Sequence, residues 1–109
     1  MNKVIISGRV VQDPELKTTK SGVSVSTNTL AVNRKQRDEN GEHIVDFIDF
    51  TVWKQSAEFF CKYGKKGDLL TVAGEIHQDT YTDKNGINRV KHSVISQEIE
   101  LHSKERKDD

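Results

Sequence analysis

Apolar and polar residues alternate with a period of two along most of this 109-residue chain. Successive side chains of a β-strand point to opposite faces, so this period indicates strands that bury one face. The Val- and Ile-rich start of the chain, which extends to about residue 12, also favours a strand. The five predicted strands comprise residues 3–11, 23–33, 43–54, 68–82 and 88–99.

Turn-forming residues separate the predicted strands. Pro14 lacks an N–H donor and Gly22 can adopt a positive φ, so neither suits the interior of a sheet. Asn85 and Gly86 form the strongest short hairpin signal in the chain, because both residues tolerate a positive φ. The fourth and fifth strands are therefore predicted to be adjacent and antiparallel.

One segment has the spacing of a helix instead. Ala57, Phe60 and Cys61 stand at positions i, i+3 and i+4, which predicts a short helix over residues 56–64 with Ser56 as its N-cap. The order of elements is then three strands, a helix and two strands. This is the order of an all-β, five-stranded OB-fold barrel with one short helix between strands three and four. An open two-layer α+β sheet is the alternative.

The third predicted strand has two dissimilar faces. One face carries Ile44, Ile48, Phe50 and Val52 and is typical of a core. The other face presents two aromatic rings, Phe47 and Trp53, among polar residues, which makes a poor core but a good platform for stacking bases. Tyr81, near the end of the fourth strand, is a third candidate ring. The alternative for each ring is that it covers a loop or a subunit contact.

The charge of the chain is balanced, because 17 basic side chains offset 17 acidic ones. No global positive field indicates a nucleic-acid partner, so the positions of the charges matter more than their sum. Basic residues concentrate in a predicted loop at 34–37 and at the helix exit, 62–66, and others lie singly on strands. Such residues usually form a solvated surface, but beside stacking rings they suit a phosphate backbone.

Residue types that would support catalysis or metal binding are not arranged for it. The four His residues lack zinc-ligand spacing, and the only Cys removes any thiolate cluster. Asp46 and Asp49 point to opposite faces of their strand and cannot form a paired acid–base site. No apolar run is long enough for a signal peptide or a membrane span. We therefore expect a cytoplasmic, nucleoid-associated protein that is not an enzyme and uses no cofactor or metal.

Several motifs in this chain together resemble those of the bacterial single-stranded DNA-binding proteins of the OB type. The resemblance extends to about Leu101, in the expected order, and as a set the motifs are highly specific. They comprise residues 1–10 (MNKVIISGRV), 13–16 (DPEL), 30–33 (LAVN), 50–54 (FTVWK), 57–58, Tyr63, 65–67 (KKG), 72–74 (VAG) and 81–82.

The resemblance implies an OB domain over residues 1–101 that binds single-stranded DNA without strong sequence preference, commonly as a homotetramer. It implies roles in replication, recombination, repair or DNA uptake. The family's stacking positions correspond to Phe47, Trp53 and Tyr81, and its basic positions include Lys3, Lys54 and Lys66. A fourth aromatic position falls at Gln36, so this loop is expected to hold DNA through Arg34, Lys35 and Arg37.

Two further departures from the family pattern affect these expectations. Asp79 stands where relatives often have basic residues and would repel phosphate. The chain then ends in a short charged tail, residues 102–109, where relatives continue to an acidic tip with a terminal Phe. This is expected of a short paralogue, a phage or mobile-element form, or a truncated chain, and recruitment of replication and repair proteins through a tip is not expected. The competing functions are a protein-interaction OB module and, with less support, an OB-fold nuclease.

Overall fold

Six strands and one helix make up the computed structural model, which describes residues 1–102. The elements are β1 (Val4–Val10), β2 (Lys17–Thr18), β3 (Ser24–Arg37), β4 (His43–Trp53), α1 (Lys54–Tyr63), β5 (Leu69–Thr82) and β6 (Asn88–His102). Within the described part of the chain, no helix is long and apolar enough to cross a membrane. The predicted tail is described only at His102, which ends β6, and its other residues lie outside the described range.

Five of the strands close into a barrel. β1 pairs with β5 and β3, β5 pairs with β6, and β3 pairs with β4, all antiparallel. The barrel closes where β4 and β6 run parallel, with Phe50 opposite Val94 and Thr51 opposite Ile95. This closed barrel confirms the predicted all-β OB fold and excludes the open two-layer sheet.

A sixth, two-residue strand was absent from the prediction. Lys17 and Thr18 of β2 pair with Val25 and Ser24 at the start of β3. Two residues are too few to show an alternating pattern, so this strand depends on the turn that brings it to β3. Because β2 comes early in the chain, α1 lies between the fourth and fifth strands, and the predicted place between strands three and four is wrong.

The helix also begins and ends differently from the prediction. It begins at Lys54, and its N-cap is Trp53, which makes no side-chain capping hydrogen bond; Ser56 lies inside the first turn. Lys54 adopts a left-handed φ of 59°. Gly64 ends the helix in an extended conformation, with φ −85°, and Gly67 takes the left-handed conformation with φ 92°.

The core lies inside the barrel and under the helix. Ala57 and Phe60 of α1 are fully buried, and the rings of Phe60 and Phe50 lie 5.7 Å apart. Apolar burial of this kind is the main stabilising contribution in a small domain. The buried apolar residues are Val10, Leu30, Phe50, Val52, Ala57, Phe60, Leu70, Val72 and Val94.

The outer side of the helix corrects three smaller expectations. Phe59 and Tyr63, which were expected to have structural roles, are exposed and pack against each other with ring centroids 5.1 Å apart. Cys61 is only partly buried. Glu58 accepts a hydrogen bond from Ser24 Oγ at 2.9 Å, although the sequence pairs it with a lysine one turn later.

Tight turns join the strands into two long hairpins. In each turn an Asp carboxylate accepts two backbone N–H bonds: Asp38 accepts from Asn40 and Glu42, and Asp83 accepts from Asn85 and Ile87. Gly41 and Gly86 supply the positive φ that each turn requires, with values of 78° and 77°. The predicted hairpin at 85–86 is confirmed, with the positive φ at Gly86 alone among its two residues.

The β3–β4 hairpin is longer than predicted. Residues 34–37, expected to form a loop, continue β3 as far as Arg37, which pairs with His43. These residues are exposed, so no buried face imposes an alternating pattern on them. The hairpin extends beyond the barrel core and carries most of the basic run.

Candidate nucleic-acid interface

Two aromatic rings project from the outer face of β4. Phe47 is 67% exposed and Trp53 is 39% exposed, whereas Phe50 and Val52 on the opposite face are buried. The predicted division of this strand into two faces is therefore confirmed. Ala31 of β3 pairs with Phe47, and so small a neighbour leaves the ring uncovered. Six residues of strand separate the two rings, a span of about 20 Å.

The third ring lies on the β5–β6 hairpin. Tyr81 is 52% exposed and pairs with Arg89 across the hairpin. Arg89 Nε donates to Asp83 Oδ2 at 2.8 Å, so its guanidinium is held at the turn and does not cover the ring. The hydrogen bond from Arg89 is the main reason that the pKa of Asp83 is lowered, with a further contribution from the Ile87 N–H.

A polar cleft of about 290 Å³ lies between the outer face of β4 and the β5–β6 hairpin. We call it the central cleft. Its lining includes Thr29, Asp49 and Thr51 on the β3–β4 side and Asp79, Lys91 and Ser93 on the hairpin side. Asp49 stands two residues from Phe47, and Asp79 stands two residues from Tyr81 on the same face of its strand. A residue pair of this spacing is separated by about 7 Å, so the cleft lies among the rings.

The central cleft contains two carboxylates and one ammonium group among its charged lining residues. Asp49 accepts a hydrogen bond from Thr29 Oγ1 at 2.7 Å, and its other oxygen lies 3.4 Å from Lys91 Nζ. Lys91 pairs with Asp79 in the backbone ladder, but its ion pair is with Asp49. Within residues 1–102, the Asp79 carboxylate has no hydrogen bond or ion pair of its own. The negative charge noted at Asp79 therefore faces this cleft without a protein partner.

Arg34 has a structural partner in this molecule. Its Nε and Nη2 donate to the two carboxylate oxygens of Asp46 at 2.9 and 3.0 Å. This contact raises the pKa of Arg34, and the same hydrogen bond is the main cause of the lowered pKa of Asp46. Asp46 belongs to the core-side parity of β4, opposite Phe47. The geometry therefore commits Arg34 to an ion pair away from the ring face.

The other predicted basic residues are spread over three places. Lys35 and Arg37 lie on the β3–β4 hairpin, where Arg37 Nη1 donates to the Gly41 carbonyl at 2.8 Å. Lys54 follows Trp53 directly and is exposed. In the turn before β5, the backbone N–H of Lys66 donates to Asp13 Oδ1 at 2.9 Å. Lys3 lies apart from the central cleft and lines a shallow groove beside Ile5 and Glu98.

Comparison with known proteins identifies the family. The profile of the single-strand binding protein family matches residues 1–102. The chain belongs to the single-strand binding protein family. It is 38% identical over 101 residues to "Single-stranded DNA-binding protein 2" of Listeria monocytogenes, covering 93% of this chain and 63% of the relative. A Streptococcus pneumoniae "Single-stranded DNA-binding protein" is also 38% identical over 101 residues, covering 93% and 65%.

A third relative matches the whole chain. "Single-stranded DNA-binding protein 1" of Staphylococcus aureus is 39% identical over 109 residues, covering all of this chain and 70% of the relative. The chain thus spans about two thirds of the length of these relatives. The match confirms the family that the motifs resemble. Family and relatives alike are named for binding, in agreement with the prediction that this is not an enzyme.

In this member of the single-strand binding protein family, sequence reasoning found the three rings but missed most of the central cleft. Ser93 and Thr51 gave no separate signal, because isolated hydroxyl residues occur on many strands. The Asp49–Lys91 pair depends on the packing of β6 beside β4, which alternation within either strand cannot reveal. Only the β5–β6 hairpin register could have been inferred from the turn.

Proposed function

We propose that this protein binds single-stranded DNA across the outer face of β4 and the β5–β6 hairpin. The observation that carries the proposal is the exposure of Phe47, Trp53 and Tyr81 around one polar cleft in a member of the single-strand binding protein family. Exposed rings stack on bases of any kind, each base contributing about 1–3 kcal/mol, so binding tolerates different sequences.

Phosphate contacts accompany the stacking. Lys54 stands beside Trp53, and Lys35 and Arg37 extend along the β3–β4 hairpin, so basic groups border the ring face. Lys66 and Lys3 are further candidates at the edges of the path, whereas the Arg34–Asp46 pair makes Arg34 a weaker one. Each neutralised phosphate releases counterions, and affinity therefore falls as salt concentration rises.

The protein acts as a homotetramer that protects single strands in the cytoplasm during replication, recombination, repair or DNA uptake. An open strand edge supports self-association. β1 pairs with β5 along Val4–Arg9, but it pairs with β3 only at Arg9 and Val10, so the other edge of Val4–Ser7 is unpaired within the described residues. Ile5, at 74% exposure, lies on this segment.

Binding of a fluorescently labelled oligo-dT, followed by anisotropy, tests the proposal. Phe47→Ala and Tyr81→Ala should each weaken binding by about 1–3 kcal/mol, since each removes one stacking ring. Tyr63→Ala is the matched control, because it removes an exposed ring from the outer side of α1 and should leave affinity unchanged. Loss of binding in the control alone, or no binding by the unmodified protein, would contradict the proposal.

A further inference from the structure

The central cleft holds a buried hydroxyl group that no residue within 1–102 satisfies. Ser93 is 8% exposed and lines the cleft, and its side chain makes no hydrogen bond to the described residues. Buried polar side chains are nearly always bonded to protein, water or a ligand. The Ser93 hydroxyl, which can both donate and accept, therefore marks a position for a hydrogen-bonding ligand group.

Charge in the cleft disfavours a phosphate as that ligand. Asp49 and Asp79 bring two negative charges, and Lys91 brings one positive charge that Asp49 already holds at 3.4 Å. A phosphate placed here would meet a net negative lining. A neutral group that donates a hydrogen bond to Asp79 and accepts from Lys91 or Ser93 meets no such repulsion.

The cleft also has the size and neighbours of a base-edge site. Its volume of about 290 Å³ is at the small end of the range of small-molecule sites, roughly 300–1,000 Å³. Tyr81 stands one pleat from Asp79, about 7 Å along β5. A base stacked on the Tyr81 ring can therefore turn its polar edge toward Asp79, Lys91 and Ser93.

We propose that the central cleft reads the edge of one base in the bound strand and prefers cytosine to uracil or thymine. This inference rests on the proposed binding of single-stranded DNA. The 4-amino group of cytosine donates to the Asp79 carboxylate, an acceptor that suits this amine, while N3 and O2 accept from Lys91 and Ser93. Uracil and thymine carry O4 at the same place, so oxygen lone pairs face the carboxylate and Asp79 stays unpaired.

Competition between deoxycytidine and deoxyuridine oligomers tests the inference. The two bases differ in the group at position 4 and in the proton on N3, and oligomers of one length are compared at one salt concentration near pH 8. We expect cytosine oligomers to bind about fivefold to tenfold more tightly, as one good base contact provides. In Asp79→Leu this ratio should fall to about one, and in Ser93→Ala it should fall about twofold.

Glu100→Leu is the matched control. Glu100 pairs with Thr71, eight residues along β5 from Asp79, so the same charge is removed about 25 Å from the cleft. Its cytosine-to-uracil ratio should equal that of the unmodified protein. Equal affinities in the unmodified protein, or an unchanged ratio in Asp79→Leu, would overturn the base-edge site. Equal tightening of both oligomers in Asp79→Leu would also overturn it, since Asp79 would then only repel phosphates. Failure to bind either oligomer would instead refute the proposed function.

Discussion

Trp53 is the side chain whose chemistry reports most directly on binding, because it is the only Trp in the chain. Its ring is partly exposed at the end of β4, beside Val25 of β3. Addition of oligo-dT should quench its fluorescence as a base stacks on it. Trp53→Ala should weaken binding by about 1–3 kcal/mol. Unchanged emission at saturating DNA, together with normal binding by the variant, would remove Trp53 from the interface.

Lys54, the next residue, combines a charge with an unfavourable backbone conformation. Its φ of 59° costs an L-residue with a side chain about 1–2 kcal/mol. Lys54→Gly should therefore be more stable to urea than Lys54→Ala, by about 1 kcal/mol. Both variants lose the same ammonium group, so both should bind DNA more weakly and with a smaller salt dependence. If Lys54→Gly were the less stable of the two, the backbone strain would be absent.

Residue parity predicted the ring face and the core face of β4, and the structure confirms both. Alternation was informative there because Phe50 and Val52 are buried while Phe47 and Trp53 are not. The partners of single charged residues were beyond prediction. The ion pair of Arg34 with Asp46 joins two strands, and its two residues meet only when the hairpin register is known.

Strand ends and the start of the helix were predicted less well than strand centres. β3 continues to Arg37 and β6 to His102, beyond the predicted ends at 33 and 99. Polar residues on both faces of a projecting hairpin give no alternation, so backbone pairing alone extends the strand. The helix begins two residues before Ser56 without a side-chain cap, so capping preferences were misleading there.

The β5–β6 hairpin contains a turn whose electrostatics depend on pH. Arg89 lowers the pKa of Asp83, so the Asp83 contribution to stability is fully present above the usual Asp range. It is lost as pH falls through the lowered value of the folded state. A carboxyl NMR titration should show this low pKa, and Arg89→Ala should raise it. Asp46 is the control, because its low pKa depends on Arg34 and should not change. An unchanged Asp83 titration in the variant would show that Arg89 is not its partner in solution.

The closed barrel leaves one feature that a single chain does not complete, the unpaired edge of β1 at Val4–Ser7. Exposed edges with apolar side chains tend to pair with another chain, and a charge placed on them blocks pairing. We expect sedimentation at micromolar concentration to show a tetramer and Ile5→Lys to reduce its association. Ile87→Lys makes the same change at another exposed site, in the β5–β6 turn, and should leave assembly intact. Circular dichroism should show both variants folded, since neither side chain belongs to the core. A monomeric unmodified protein, or an equal loss of association in both variants, would contradict assembly through this edge.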